Sequence, residues 1–490
     1  MRAGIGALRL EYLWPALVLT LIFVVTAAMP IAQADFWFHV AVGGDIATTG
    51  AIPAVDEYSF TQAGDPYVSY QQFWLMDLVL YGLHELGGPV LISLLHAVTL
   101  TTTYALVMFV SWRQARDWRA AAIATLLAAV LGFFNWNIRP QTVAFLLGAL
   151  LMVGITEFRT TRRKAWLTLI PLVIVIWVNS HGTFVVGLAI LGLWFLDEVL
   201  AQAAAIRRGE DPPSTGVTIP ALAVGLGFAA TFANPGGASW LKYLGAMTNN
   251  AAVQVASEWL PPDPLEIQGA SFFACLLLVV VVLLRSPLRP TFVELAALIV
   301  FSALGIRYVR GSVWFGIVLA PIFARHLAAF RRPAGHPEPS PIEHRFAAVG
   351  LAVLAGLTIV VAPPLRVALT GRDVLAPDTP IAATAFMLEH ELPGPVFNSQ
   401  LFGSYLIWAA QPEYPVFIDS RVELFSEEVW DDYLAISAAR WDWEERLDRY
   451  EVKTLFLDPG YAENLVEAAS ASPRWVEAYR DDIVVIFTRT

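Results

Sequence analysis

Long apolar stretches separated by short polar breaks fill the first three quarters of the chain. Windows long enough to cross a bilayer as helices lie near 13–33, 89–111, 119–135, 140–158, 165–179, 183–205, 217–233, 270–285, 291–305, 311–329 and 346–364, a crossing needing about twenty apolar residues. The pattern predicts eleven membrane-spanning helices, of which the third, fifth and ninth are short. Between the first two lies a loop, 34–88, of a different kind. Its first segment, "DFWFHVAVGGDIATTG", mixes apolar and polar positions, which predicts a helix lying in the interface plane. "YSFTQAGDPYVSY" then alternates around Gly64, Asp65 and Pro66, the pattern of a short hairpin or turn. "QQFWLMDLVLYGLHEL" is amphipathic and ends at Gly87, Gly88 and Pro89, so a second interfacial helix leads into the next span. Trp37, Trp74 and Tyr81 are expected at headgroup level. The first apolar run also has a rival reading as a cleavable signal peptide, with "AQA" before Asp35.

From about residue 367 the pattern becomes that of a soluble domain. Helices are predicted at 380–391, 402–410, 426–437, 441–450 and 461–470, with strands at 395–398, 415–418, 452–457, 474–479 and 483–488. This is a small α/β domain of Rossmann-like outline. It lacks a G-x-G-x-x-G turn, so no dinucleotide site is indicated. The domains are therefore 1–366, spanning the membrane, and 367–490. Two further segments stand out: a helix at 238–256 followed by a rigid "EWLPPDP" turn, and a Pro-rich basic connector at 331–345. No internal repeat is visible.

Composition agrees with the pattern: 57% hydrophobic residues, 15% charged residues and a mean hydropathy of +0.59 describe a polytopic membrane protein. Charge orients it. With the N-terminus inside, the inner loops carry seventeen Lys and Arg, against four in the outer loops, namely Arg139, Lys242, Arg307 and Arg310. An odd number of spans then exports the C-terminal domain. That domain holds 22 acidic and 9 basic residues, so the rest of the chain is close to neutral, and nucleic acid is not an expected partner. Cys275, the single cysteine, lies in an apolar span, so the exported domain has no disulfide. Arg outnumbers Lys 28 to 3, which points to a GC-rich bacterial source and a cytoplasmic membrane.

The expected topology gathers polar clusters on the outer face: "ADFWFH" at 34–39, "NWNIRPQ" at 135–141, "NSHGTF" at 179–184, "NP" at 234–235, "SEWLPPD" at 257–263 and "RYVR" at 307–310. Polar groups at the ends of several spans on one side predict a cavity open to that side. Asp35 and His39 are four apart and share a helix face, a possible base with its orienting partner; equally, Asp35 caps the interfacial helix. Asp56 and Glu57 are a second acidic candidate, for a metal or a sugar, or a solvated loop pair. Asp65 is read as a turn residue, and Asp45 and Asp77 as exposed. Arg139, Arg307 and Arg310 can clamp a phosphate or snorkel to headgroups, Lys242 with less reason. His181 either lines the cavity or makes a structural hydrogen bond at the Gly182 turn. In the tail, Asn398 and Asp419 with Arg421 follow predicted strands, where α/β domains bind ligands; an Asp419–Arg421 structural ion pair is the alternative.

These features resemble the GT-C superfamily of membrane glycosyltransferases, which use polyprenyl-phosphate-linked sugars. The resemblance rests on "DFWFH" after the first span and on "R-P-Q", "N-x-H-G", "E-W-x-P-P" and "I-D-x-R" at 139–141, 179–182, 258–262 and 418–421. It also rests on the large outer first loop and the exported tail. The resemblance is to uncharacterised bacterial members and, more distantly, to protein O-mannosyltransferases and the lipid A aminoarabinose transferase. It implies a catalytic Asp in the first loop, placed here at Asp35, and an inverting transfer from a polyprenyl-phosphate sugar to a glycan, lipid or protein acceptor. The family's acidic pair is adjacent or one residue apart at the membrane, whereas Asp35 precedes Phe36. The identity of the base and the need for a divalent metal therefore stay open. A non-catalytic or transport role in handling lipid-linked glycans is the second expectation.

Overall fold

The structure, a computed structural model, describes residues 8–67, 70–210, 216–242, 245, 259–331 and 340–490. The expected helix at 238–256 beyond residue 242, Ser257 and Glu258 of the "SEWLPPD" cluster, and most of the Pro-rich connector lie outside the described residues. In chain order the helices are α1 (Leu13–Ala28), α2 (Phe36–Thr49), α3 (Tyr70–Ala115), α4 (Trp118–Gly132), α5 (Gln141–Thr161), α6 (Leu169–Val178) and α7 (Phe184–Arg207). There follow α8 (Thr218–Ala230), α9 (Ile267–Arg285), α10 (Phe292–Arg307), α11 (Gly311–Ala328), α12 (Pro341–Val361) and the short α13 (Pro363–Thr370).

Each of the eleven expected spans is helical. Among the described residues, eight helices are long and apolar enough to cross a membrane. The stretch at 119–135, expected to be short, is one of them, whereas α6, α8 and α10 are shorter. The helix starts follow local chemistry: Thr291 and Glu294 form a capping box on α10, and Ser340 and Glu343 another on α12, where Pro341 takes the first helical position. Helix α3 runs through the expected boundary at residues 87–89, but Gly87 and Gly88 leave helical geometry there. Gly88 has φ +61°, a conformation open to glycine, and Pro89 follows.

The chain separates into two compact units. One is helical and contains α1, the second part of α3 and α4–α13. Its centre is α11 against α4, where small residues let the backbones approach: a Cβ on Gly316 would meet Ala128 Cα at 3.0 Å. One end of this unit is laced by ion pairs between groups expected on the inner side: Arg113 with Glu157 (2.5 Å), Arg159 with Asp197 (2.6 Å), Arg325 with Glu294 (2.6 Å) and Arg331 with Asp117 (2.9 Å).

The other unit joins Pro30–Ile92 to Asp373–Thr490, so the first loop belongs with the tail rather than with the spans. Its remaining elements are α14 (Ile381–Glu389), β1 (Val396–Asn398), α15 (Gln400–Ala409), α16 (Glu427–Ser437), α17 (Trp443–Arg449), β2 (Thr454–Leu457), α18 (Glu463–Ala471), β3 (Trp475–Arg480) and β4 (Val485–Arg489). The sheet order is β1-β2-β4-β3, with β1 and β2 parallel and the other pairs antiparallel. A single parallel pair is less than the Rossmann-like outline expected.

The expected strand at 415–418 does not join this sheet. Val416 bridges Ser59 of the first loop instead, through Phe60 N–H to Val416 O (3.1 Å) and Val416 N–H to Tyr58 O (3.0 Å). The Asn398 side chain takes the place of a ladder partner: its Oδ1 accepts from Phe417 N–H (2.8 Å) and its Nδ2 donates to Ile418 O (2.8 Å). On the loop side, Asp56 N–H donates to Asp65 O (2.8 Å) across a turn at Gly64, which has φ +84°. Trp37 is not a headgroup anchor: it is buried against Trp408 (4.4 Å) and Tyr405 (5.3 Å).

Helix α15 touches the 416–419 segment at Gly403, where a Cβ would meet Asp419 Cα at 2.7 Å. Gly403→Ala is expected to cost about 1–3 kcal/mol through backbone displacement. Gly82→Ala, in open space on α3, is expected to leave stability unchanged or slightly raised. Thermal melts followed by tryptophan fluorescence check both.

Candidate active site

In the helical unit, three loops carry the expected phosphate ligands. Ser312 Oγ, in the first turn of α11, donates to Leu131 O near the end of α4 (3.2 Å). Trp314, one residue pair further on, stacks on Trp177 in the last turn of α6 (5.5 Å) and meets Phe145 near the start of α5 edge-on (5.3 Å). The chain before α5, after α6 and before α11 therefore comes to one end of the bundle. These segments hold Arg139, His181, and Arg307 with Arg310. Arg310 lies over Trp259 (5.5 Å) and Arg307 over Tyr308 (4.9 Å). Arg307 is exposed, and Arg139 and Arg310 are half-buried. His181 Nδ1 accepts from Thr183 N–H (3.1 Å), which makes Nε2 the nitrogen that a ligand would meet. Asn179 Nδ2 donates to Ala233 O (2.7 Å), tying in the loop after α8. Lys242 is exposed.

In the loop-and-tail unit, Asp35 takes the N-cap position of α2 without a side-chain capping bond, and it is half-buried. The helix start is instead held by Phe38 N–H donating to Ser404 Oγ on α15 (2.9 Å). His39 does not pair with Asp35, its expected partner. Its Nδ1 meets Asp77 Oδ1 at 2.6 Å, and the two side chains are 6% and 1% exposed. Asp77 was read from sequence as an exposed residue and is the opposite. The available signal was a lone carboxylate inside the apolar run "FWLMDLVLY".

Asp56 and Glu57 do not form a joint site, because Asp56 is fully buried and Glu57 exposed. Asp56 Oδ1 accepts from Arg421 Nη1 (2.5 Å), while Asp56 Oδ2 accepts from Ser59 N–H (2.9 Å). Arg421 also grips Asp419 through Nε (2.9 Å) and Nη2 (2.6 Å). The rings of Tyr58 (5.3 Å), Tyr67 (5.5 Å) and Phe38 (5.9 Å) surround its guanidinium. All three charged side chains are 0% exposed. Asn398, Asp419 and Arg421, expected to touch an acceptor, are thus buried in the scaffold, because desolvated charges need each other as partners. Asp45 is exposed and accepts from the Tyr58 hydroxyl, and Asp65 lies in the turn as expected. Burial pushes the Tyr433 hydroxyl above its ordinary value, so at neutral pH it stays a neutral group, accepting from Gln400 N–H (3.0 Å) at the end of β1. Among the described residues no group of three or more His, Cys, Asp or Glu comes together to hold a metal ion.

No protein-family model matches the chain, and no curated protein matches it in sequence. Solved structures do match in fold. The chain is similar to the oligosaccharyltransferase of Archaeoglobus fulgidus in its apo form, with a TM-score of 0.54 at 12% identity, covering 94% of this chain and 73% of that one. It is also similar to the arabinofuranosyltransferase AftD from Mycobacteria, with a TM-score of 0.55 at 14% identity, covering 97% of this chain and 40% of that one. A mutant form of AftD gives a TM-score of 0.56 at 15% identity. The chain thus spans well under half of the AftD length. The chain shares the fold of these structures: a polytopic helical unit with an α/β tail.

Removing the guanidinium would leave two buried carboxylates facing each other. Arg421→Met is expected to destabilise the loop-and-tail unit by about 3–5 kcal/mol. Asp56→Asn should cost less, because the remaining Arg421–Asp419 pair is formally neutral. Trypsin susceptibility of the tail, followed against temperature, measures both.

Proposed function

We propose that the chain is a membrane glycosyltransferase that moves a sugar from a polyprenyl-phosphate donor to an acceptor on the outer face of a bacterial cytoplasmic membrane. The observation that carries this reading is the likeness of nearly the whole chain, spans and tail together, to two glycosyltransferases. The N-terminus is cytoplasmic and the tail extracytoplasmic in this reading, following the distribution of Lys and Arg.

Roles follow from chemistry. Arg139, Arg307 and Arg310 bind the donor phosphate, Arg310 standing at the start of α11, where the helix dipole also favours an anion. His181 adds a hydrogen-bonding group at Nε2. Asp35 accepts the proton of the acceptor hydroxyl as its oxygen attacks the anomeric carbon, and the polyprenyl phosphate leaves with the bonding electrons. The sugar inverts.

The test uses the full chain in lipid vesicles with radiolabelled polyprenyl-phosphate sugars and a panel of methyl glycosides. Asp35→Asn is expected to lower transfer by about 10²–10⁴-fold, with Glu57→Gln near wild type. Arg310→Ala should raise the KM for the donor more than it lowers kcat. Undiminished transfer by a properly inserted Asp35→Asn chain would remove Asp35 as the base. No transfer by the wild type from any donor would count against the transferase reading.

A further inference from the structure

The pairing of His39 with Asp77 has no place in the roles above. Three observations mark it as more than packing. First, Asp77 is almost fully buried and spends one oxygen on His39, while its Oδ2 is buried with no hydrogen-bond partner among the described residues. A carboxylate kept for stability alone is expected to have both oxygens satisfied. Second, the two helices are brought together for this contact by Gly43, one turn beyond His39: a Cβ there would collide with Asp77 O and lie 2.7 Å from Tyr81 Cβ. Third, the imidazole is fixed by Phe38 (4.0 Å between ring centres) and Phe73 (5.7 Å), one turn along α2 from Asp35.

The tautomer follows from the bond. A carboxylate accepts, so Nδ1 carries the proton, and in the neutral form of the ring the lone pair is at Nε2. Such a nitrogen can accept a hydrogen bond from a hydroxyl. We propose that Asp77 is a positioning residue for sugar transfer, holding His39 so that Nε2 accepts a hydrogen bond from a hydroxyl of a glycoside acceptor and orients it for attack. The inference rests on the transferase reading. The charged and titratable groups near the ring include Asp77 on α3, Asp35 one turn back on α2 and, beyond neighbouring rings, Arg421 over Phe38 (5.9 Å) and His84 against Trp37 (6.1 Å); α15 contributes Ser404, Tyr405 and Trp408.

Asp77→Asn, Asp77→Glu and His39→Gln in the full chain test it by two independent readouts. Solid-state NMR with ¹⁵N-histidine identifies the His39 signal by its loss in His39→Gln and reads which nitrogen is protonated. The wild type should show Nδ1–H. In Asp77→Asn, whose amide can donate as well as accept, Nε2–H should become populated. With methyl glycosides as acceptors, Asp77→Asn should raise the acceptor KM by about tenfold or more, leave the donor KM unchanged, and be partly rescued by Asp77→Glu. A tautomer unmoved by Asp77→Asn overturns this inference alone, as does a loss of transfer that only follows a lowered melting temperature. Failure of the wild type to transfer to any glycoside would sink the transferase reading beneath it.

Discussion

A guanidinium sealed from water sits between two carboxylates contributed by segments more than 360 residues apart. Taking such charges out of water is expensive, so Arg421, Asp56 and Asp419 are stable only together. Each restrains a different piece: Asp56 the hairpin of the first loop, Asp419 the segment that pairs with residues 58–60, and Arg421 the aromatic rings of Phe38, Tyr58 and Tyr67. Because Phe38 lies in α2, the same cluster supports the helix that begins beside Asp35. The candidate base is therefore mounted on a scaffold whose parts come from both ends of the chain. The first loop is synthesised long before the arginine that neutralises it, so its final structure must await the tail.

Much of this architecture was legible in the periodicity. The eleven apolar windows, both helices of the first loop and the helix–strand alternation of the tail follow from residue spacing and breakers such as Gly87, Gly88 and Pro89. What escaped was long-range partnership. Asp35 and His39 share a helix face by spacing, but Asp77 outcompetes Asp35 because Gly43 lets α3 approach the ring. Asp56 and Glu57 look like a pair in the sequence and are separated by the alternation of an extended chain, one inward and one outward. The 415–418 run reads as a sheet strand because it is apolar and fully buried, and only Asn398 shows why it pairs elsewhere. The Arg421 ion pair was visible as an alternative in "VFIDSR"; its third member was not.

The helical unit treats its two ends differently. At one, Arg side chains at or beyond helix ends meet Glu and Asp of neighbouring segments, so part of the basic excess there is structural as well as directional. These pairs leave the expected orientation unchanged, since the topological rule counts Lys and Arg rather than net charge. At the other end, Arg307 lies over Tyr308 and Arg310 over Trp259. A cation resting on an apolar, aromatic surface is less hydrated than one in water, which strengthens its attraction for an anion.

The contact between Asp56 and Arg421 also settles a question of parity. Two segments in contact must lie on the same side of the bilayer, so the chain between them crosses it an even number of times. Of the eight helices long and apolar enough to cross among the described residues, seven come after the first loop and before the tail. Seven is odd. If all seven cross and every other crossing lies among the described helices, one or all three of the shorter helices α6, α8 and α10 cross as well, and a tally of long hydrophobic segments alone would put the tail on the wrong side of the membrane from its own arginine's partner.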